Sequence, residues 1–299
     1  MATTVAIERD DAIETAIERA LSSIEVESKV RGRVVAVKPN ETSASADDAS
    51  GVTQPDTLRA VLRRCAALNP ARLIVTGGAG AGETDEIFEL TGLMRVVREE
   101  GAEFVDHNRP PFERVELEYD PGRDHAGPQQ AIMVHERVLG YETLISLAQL
   151  KVHRTATVTL TLKNIAMSFP AADYYGHPRS RQKHDHAFFH DMHSFIAAMA
   201  RRFPIDVGII AGHPAMIGTG PLGGIPVESG LVIASLDALA ADVVGAGVLG
   251  FDTQAVRHLW EAAKLGLGES DPSAMRFPGM TPEDALAEFS RRAYGRPIS

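Results

Sequence analysis

Residues 33–76 read RVVAVKPNETSASADDASGVTQPDTLRAVLRRCAALNPARLIVT. Short β-branched runs at 33–38 and 72–76 predict two buried strands, and the helical spacing of apolar residues over 55–68 predicts a helix between them. The small and polar residues at 41–53 predict a loop. Two strands joined through a helix run parallel in one sheet. This stretch therefore predicts an α/β fold.

The alternation of strands and helices continues on both sides of this stretch. Helical spacing over 13–24 predicts that the chain opens with an amphipathic helix. Another helix begins near Thr84, and a third strand follows at 104–106. Later apolar runs predict strands at 143–148, 155–161, 207–211 and 230–234, and helices at 187–202 and 237–249.

A segment rich in proline, glycine and charge, 108–127, predicts a boundary between two lobes. We expect an N-terminal α/β lobe at residues 1–127 and a C-terminal α/β lobe at residues 128–299. In both, parallel-rich sheets are flanked by helices, and the two lobes have a cleft between them. Because α/β sheets bind ligands beside the carboxyl ends of their strands, we expect the functional site in that cleft.

The composition excludes several classes of protein. A formal net charge of −10 over 299 residues, without an extended basic tract, argues against nucleic-acid binding. The single cysteine, Cys65, excludes an internal disulfide framework and an iron–sulfur cluster carried by this chain alone. The start of the chain lacks the pattern of a secretion signal, and no apolar run reaches about 18 residues. We therefore expect a cytoplasmic protein with neither a nucleic-acid nor a membrane partner.

A glycine-rich turn, Gly77-Gly-Ala-Gly-Ala-Gly82, lies between a predicted strand and a predicted helix. Backbone amides in this position attract anions, so Gly78 and Gly80 are candidate ligands of a phosphate or carboxylate. The spacing matches neither the dinucleotide fingerprint nor the P-loop. The alternative is a plain tight turn.

Histidine is concentrated between residues 177 and 193, which hold five of the eleven histidines in the chain. On a helix, His186, His190 and His193 fall within a narrow arc of one face. With His184 they form a candidate site for a divalent transition metal such as zinc, iron or nickel. The alternative is a solvated polar helix face.

Further polar residues stand where strands and loops end. Lys151 and His153, together with Lys163 and Asn164, bracket a threonine-rich segment and are candidate catalytic residues, as an acid/base or anion-binding pair. The remaining candidates for ligand binding are Lys38 and Asn40 after the first strand, Arg179 and Arg181 in a short basic stretch, and Gly220 in a loop rich in glycine. A solvated loop is the alternative for the two arginines.

Two aspartates lie five residues apart in the helix predicted at 237–249. We predict that Asp237 is the N-cap of this helix. Asp242 has two interpretations, a buried hydrogen-bond acceptor or a carboxylate aimed at a metal.

Several of these pieces, taken in order, resemble the family known as domain of unknown function 362. The matching pieces are Val37-Lys-Pro-Asn40, Thr53 and Pro55 before a helix, Glu86-Ile-Phe-Glu-Leu-Thr-Gly92, Leu150-Lys-Val-His153, Val158-Thr-Leu-Thr-Leu-Lys-Asn164, Gly218-Thr-Gly-Pro-Leu-Gly-Gly224, Ser235-Leu-Asp237 with Asp242, and Leu249-Gly-Phe-Asp252. The resemblance implies no defined activity. Family members are sometimes joined to ferredoxin-type iron–sulfur modules, and with one cysteine this chain lacks such a module.

The chain departs from the family pattern in two places. Ala211-Gly212-His213 stands where the family usually has Asp-Gly, which weakens the transfer of a carboxylate role to this loop. Ile165 replaces the usual glycine after Asn164. The layout is more remotely similar to the nickel-dependent lactate racemase family, which uses lysine and histidines in a cleft between two lobes.

The residues favour an enzyme of small-molecule metabolism, of a lyase, isomerase or biosynthetic type, acting on a small anionic metabolite with a carboxylate or phosphate group. Local basic residues and histidines on an acidic chain carry this expectation. The alternative is a non-catalytic protein that binds a cofactor or metal in the same cleft. A homo-oligomer is compatible with either.

Overall fold

The computed structural model describes residues 2–118, 131–171 and 191–297 and confirms a mixed α/β fold. The strands are β1 Thr3–Arg9, β2 Val34–Pro39, β3 Arg72–Gly77, β4 Glu103–Asp106, β5 Phe112–Glu116, β6 Ala131–His135, β7 Thr143–His153, β8 Thr157–Thr159, β9 Val207–Ile217, β10 Ile225–Val227, β11 Leu231–Ser235 and β12 Met275–Arg276. The helices are α1 Ile13–Ser23, α2 Glu27–Val30, α3 Pro55–Ala67, α4 Thr84–Leu90, α5 Leu93–Glu99, α6 Thr161–Ala166, α7 Met192–Arg202, α8 Ala238–Val248, α9 Arg257–Lys264 and α10 Pro282–Tyr294.

A ten-stranded sheet forms the centre of the molecule, in the order β12-β1-β11-β9-β7-β2-β3-β4. The neighbours from β9 to β4 are all parallel, whereas β11 is antiparallel to both β9 and β1. Two short strands extend it, β8 beside β7 and β10 beside β9. The strands β5 and β6 form a separate hairpin-like sheet.

The direction of the chain through the sheet reverses at β2. From β2 the chain moves outward to β3 and β4, and it then returns to place β7 on the other side of β2, followed by β9. In doubly wound α/β sheets, the carboxyl ends of the two strands at such a reversal diverge and leave a crevice. The register of β2 against β7, from Val35–Thr143 to Pro39–Leu147, brings their carboxyl ends to the same edge.

Helices cover both faces of the sheet because its central strands are apolar on both sides. In β2, Val35 and Val37 pack into the cluster that includes residues of α1, α3 and α5. Ala36, on the opposite face, packs into the cluster that includes α6, α7, α8 and α9. Burial of both faces is characteristic of parallel sheets.

Most of the predicted elements are present, with three differences. The chain opens with β1 before the predicted first helix, and Val5, Ala6 and Ile7 of this strand are fully buried. Both β7 and β9 continue well beyond the predicted strand ends. The strand predicted at 155–161 is shorter in the structure, where β8 begins at Thr157, which has a left-handed φ of 65°, ends at Thr159, and is followed by α6 from Thr161.

Strands from both predicted lobes share the large sheet. β2, from the segment 1–127, pairs directly with β7, from the segment 128–299. The two lobes do not each have a separate main sheet, and the cleft between lobes stays a prediction. No helix among residues 2–118, 131–171 and 191–297 combines the length and apolar character needed to cross a membrane.

Candidate functional site

A cavity of about 540 Å³ lies at the carboxyl ends of β2, β3 and β7. Its walls also include α6 and the loop that follows β9. The cavity therefore occupies the crevice at which the sheet reverses direction. Seven residues singled out from the sequence line it, namely Lys38, Asn40, Gly78, Gly80, His153, Lys163 and Asn164.

Lys38 and Glu41 form a buried ion pair on the β2 side. Lys38 Nζ lies 2.6 Å from Glu41 Oε2, and the two side chains are 3% and 1% exposed. Lys38 Nζ also donates to Asn164 Oδ1 at 2.8 Å. Because a lone buried charge is very unfavourable, each member of the pair stabilises the charge of the other.

Asn164 connects α6 to β2 and β7. Its Nδ2 donates to the carbonyl oxygen of Lys38 and to Ser146 Oγ, each at 3.1 Å. Its Oδ1 accepts from Lys38 and, at 3.2 Å, from Asn40 Nδ2. With both ends of its amide bonded, Asn164 fixes α6 above the crevice and orients Lys38 and Asn40.

Lys163 presents a different environment one residue earlier on α6. Its amine lies on the cavity wall and has neither a hydrogen bond nor an ion pair with any residue that the structure describes. Burial, with the nearby charge of Lys38, lowers the pKa of Lys163 to about 7. An amine with this pKa exists in charged and neutral forms near neutral pH.

Asp242 of α8 holds the beginning of α6. It is fully buried and accepts from the amides of Thr161 at 2.7 Å and Leu162 at 2.9 Å, and from the hydroxyl of Thr161 at 2.6 Å. Burial raises the pKa of Asp242 to about 7, against the effect of these three donors. Of its two interpretations, the structure favours the hydrogen-bond acceptor. The other aspartate of the pair, Asp237, is the predicted N-cap and accepts from the amide of Ala240 at 3.0 Å.

The glycine-rich turn donates its amides within the chain. Gly78 N donates to Glu41 Oε1 at 2.9 Å, and the amides of Gly80 and Ala81 donate to the carbonyl oxygen of Thr42. The carboxylate at this turn is thus the chain's own Glu41. Gly78 and Gly80 shape the wall, and a Cβ at Gly78 would lie 2.5 Å from the carbonyl oxygen of Ser168.

Three buried polar atoms on the wall lack a hydrogen-bond partner in the part of the chain that the structure describes, and one of them, Glu41 Oε2, is in the ion pair with Lys38. The other two are Asn40 Oδ1 and Thr159 Oγ1, on residues that are each 2% exposed. Nearby, His153 Nδ1 accepts from the amides of Thr155 and Ala156 at 3.1 Å. In the neutral ring these bonds place the proton of His153 on Nε2.

Two predicted site residues lie behind the cavity wall. Lys151 is fully buried and donates to the carbonyl oxygen of Gly51 at 2.6 Å, which supplies a partner for its amine inside the core. Gly220 packs against β7 so closely that a Cβ would lie 2.2 Å from the carbonyl oxygen of Val152. This packing brings the next residues, Pro221 and Leu222, to the cavity.

Most of the predicted metal site lies outside the described residues, as do both predicted arginines. The residues concerned are Arg179, Arg181, His184, His186 and His190. The described member, His193, has its Nδ1 3.1 Å from Nδ1 of His258, and the two rings stack. Within the described ranges, no group of three or more His, Cys, Asp or Glu residues is arranged to hold a metal.

Two further wall residues escaped the sequence analysis. Glu41 lies in a polar segment predicted only as a loop, and its position three residues after Lys38, with the opposite charge, is the signal that could have identified it. Ser168 follows α6 and carries no motif. Its hydroxyl lies 3.4 Å from Nδ1 of the buried His107.

Comparison with known proteins places the chain by sequence and not by a solved structure, since no solved structure matches it. A thylakoid-associated protein of Synechocystis sp. is 26% identical over 158 residues, which are 52% of this chain and 47% of that protein. The match thus spans about half of each protein. A sequence model described as domain of unknown function (DUF362) matches residues 35–247, a range that includes the cavity residues. The resemblance is confirmed, and the chain belongs to the family described as domain of unknown function DUF362.

Proposed function

We propose that the protein is an enzyme that binds a small anionic metabolite, a carboxylate or a phosphate, in the cavity at the reversal of the sheet. The observation that carries this proposal is the amine of Lys163, which is buried on the cavity wall without a partner among the described residues. A buried cation needs an opposite charge, and the cavity leaves room for a ligand to supply it.

The charges around the cavity support an anion over a cation. Glu41 is paired with Lys38, so this carboxylate does not offset the charge of Lys163. Arg154 is exposed on the lining and has no ion-pair partner in the described part of the chain. When Lys163 is protonated, the wall therefore carries an excess of positive charge on an otherwise acidic protein.

The unpartnered atoms on the wall give the ligand a second kind of contact. Asn40 Oδ1 accepts and Thr159 Oγ1 both donates and accepts. A ligand that carries a hydroxyl or another polar group beside its anionic group would satisfy them. The network through Asn164 holds Asn40 in place before the ligand arrives.

An enzyme is favoured over a carrier by the state of Lys163. A lysine that only binds an anion works best when fully charged, as at an ordinary pKa of 10.5. A pKa of about 7 instead suits a group that takes and returns a proton during a reaction. His153, with a proton on Nε2, stands on the same wall as a second proton donor.

Calorimetric titration with inorganic phosphate and with malonate, in buffers of different ionisation enthalpy at pH 8, tests the binding. We expect binding that takes up close to one proton, because the anion raises the pKa of Lys163. Lys163→Met should lose both the binding and the proton uptake. Lys264→Met changes an exposed lysine over the ring of Trp260 and should retain the binding and the proton uptake. Equal binding by wild type and Lys163→Met would refute the proposal.

Turnover is tested separately with an extract of small metabolites. The wild-type protein should deplete an anionic component, and Lys163→Met should not. The metal predicted at His184, His186, His190 and His193 stays a prediction, which elemental analysis of untagged protein tests directly.

A further inference from the structure

The chain uses its lysines and its arginines in different places. It contains six lysines and 24 arginines, and three of the six lysines, Lys38, Lys151 and Lys163, are buried around one cavity. Lysine is rarely buried, and arginine is the usual choice for holding an anion through a fixed pair of bonds. An arginine does not lose its proton in proteins, whereas a buried lysine does. The use of lysine instead of arginine around this cavity points to chemistry that requires a neutral amine.

The three buried lysines have separate roles. Lys38 is charged and held by Glu41 and Asn164, and the amine of Lys151 is bonded to the carbonyl oxygen of Gly51. Only the third, Lys163, combines an amine on the cavity wall with the absence of a partner in the described ranges. A desolvated lysine beside a fixed cation is the arrangement that makes an amine a nucleophile at neutral pH.

We propose that Lys163 forms an imine with the carbonyl carbon of a small oxo acid bound in the cavity. This inference rests on the proposed function and specifies the substrate class as an anion that also carries an aldehyde or ketone. The carboxylate of the oxo acid would meet the charge of Arg154 on the wall, because the charge of Lys38 is already offset by Glu41. Thr159 Oγ1 would donate to an oxygen of the oxo acid, and Asn40 Oδ1 would accept from the hydroxyl of the carbinolamine that forms from it.

The step needs no oxidant or reductant. The lone pair of neutral Nζ attacks the carbonyl carbon, and one proton moves from nitrogen to the carbonyl oxygen to give a carbinolamine. Its hydroxyl takes a second proton and leaves as water while a C=N bond replaces C=O, and the nitrogen then loses its remaining proton. The resulting imine takes one proton to become an iminium, which draws electrons from the neighbouring carbon and activates it for bond cleavage or proton exchange.

Several charged or titratable groups surround Lys163 and set its reactivity. Lys38 on β2 disfavours its protonation, and burial together with the charge of Lys163 in turn lowers the pKa of Lys151 on β7 and of His258 on α9. Glu41 is engaged by Lys38, and Asp242 is engaged by the start of α6. Their combined effect leaves a substantial fraction of the amine neutral at pH 7.

Reductive trapping tests the imine. Wild-type protein is incubated at pH 7 with sodium cyanoborohydride and glyoxylate, pyruvate or 2-oxoglutarate, and the adducts are located by intact mass and peptide mapping. We expect at least one oxo acid to modify Lys163 before Lys29 or Lys264, which serve as internal controls at the surface. Lys163→Arg should give no adduct in that peptide, whereas Lys264→Met should leave both the adduct at Lys163 and the binding of inorganic phosphate as in the wild type.

Titration of the same samples with phosphate distinguishes failure of the imine proposal from failure of the proposed function. If phosphate binds to the wild-type protein but no oxo acid modifies Lys163 faster than the two control lysines, the imine is wrong and the proposed function stands. If phosphate does not bind and no adduct forms, both are wrong.

Discussion

At the scale of single residues, the site depends on how buried charges are compensated. Lys38 and Glu41 have almost no contact with solvent, and each also contacts a neutral partner, Asn164 or the amide of Gly78. Desolvation makes such a pair sensitive to the loss of one member and tolerant of the loss of both. The same burial leaves Lys163, without a partner among the described residues, near the middle of its titration at neutral pH.

A double-mutant cycle measures the coupling of this ion pair. We expect Lys38→Met and Glu41→Leu each to lower the free energy of unfolding by ~3–5 kcal/mol, because each leaves an uncompensated buried charge. The double variant should lose less than the sum of the two. Chemical denaturation of the four proteins gives the values, and strict additivity would show that the two charges are not coupled.

The stability of Lys163→Met should depend on pH. The pKa of Lys163 is lowered from 10.5 to about 7, so burying its charge destabilises the free protein fully below pH 7 and progressively less as the pH rises to 10.5. We expect Lys163→Met to raise the free energy of unfolding by at least ~2 kcal/mol at pH 6 and to lose most of this gain by pH 10. Urea unfolding from pH 6 to 10 measures the trend. A constant difference across this range would contradict the lowered pKa.

At the scale of elements, close packing between the turn after β3 and the end of α6 shapes the cavity. The carbonyl oxygen of Ser168 would lie 2.5 Å from a Cβ at Gly78, and this is a backbone atom that cannot rotate away. We expect Gly78→Ala to lower the free energy of unfolding by ~1–3 kcal/mol and to weaken anion binding. Gly140→Ala, at a position with nothing within 4 Å of the added atom, is the matched control. Equal stability of the two variants would show that the contact between Gly78 and the carbonyl oxygen of Ser168 leaves room for a Cβ.

A second contact between elements is sensitive to pH. His213 on β9 bonds Asp56 on α3 at 2.9 Å and Glu228 at 2.7 Å, and these bonds raise the pKa of His213 to about 9. The raised pKa means that this contribution to stability is complete below pH 6.5 and is lost as the pH rises through 9.

The corresponding variant is His213→Gln. Because both carboxylates are partly exposed to solvent, we expect this variant to lower the free energy of unfolding by only ~1 kcal/mol at pH 6. Thermal or urea unfolding should show almost no difference from wild type at pH 10. A loss that is the same at both pH values would assign the effect to packing and not to charge.

Sequence patterns predicted elements well where apolar periodicity is strong, as over 55–68 and 72–76. They predicted too long a strand at 155–161, where the alternating threonines continue past the end of β8 at Thr159. Asp242, 81 residues away from Thr161, accepts from the amide of Thr161 and holds the start of α6 there. Contacts of this range leave no trace in local periodicity.

At the scale of the whole molecule, the position of the cavity follows from the order of the strands. Residues after β2, β3 and β7 meet because these strands are parallel and adjacent at the reversal of the sheet. For this reason, Lys38, Asn40 and His153 could be identified from the sequence as polar residues at strand ends. Sequence alone did not separate the cavity residue Lys163 from the core residue Lys151, because the two differ only in what surrounds them.

The most direct measurement is the pH titration of the six lysines by NMR, with ¹³C at each Cε and Lys163→Arg to assign the signal. We expect Lys163 to titrate near pH 7, and its midpoint to move upward when inorganic phosphate is added, while Lys29 and Lys264 do not respond to phosphate. A midpoint near 10.5 that phosphate leaves unchanged would contradict a neutral, ligand-binding amine in the cavity.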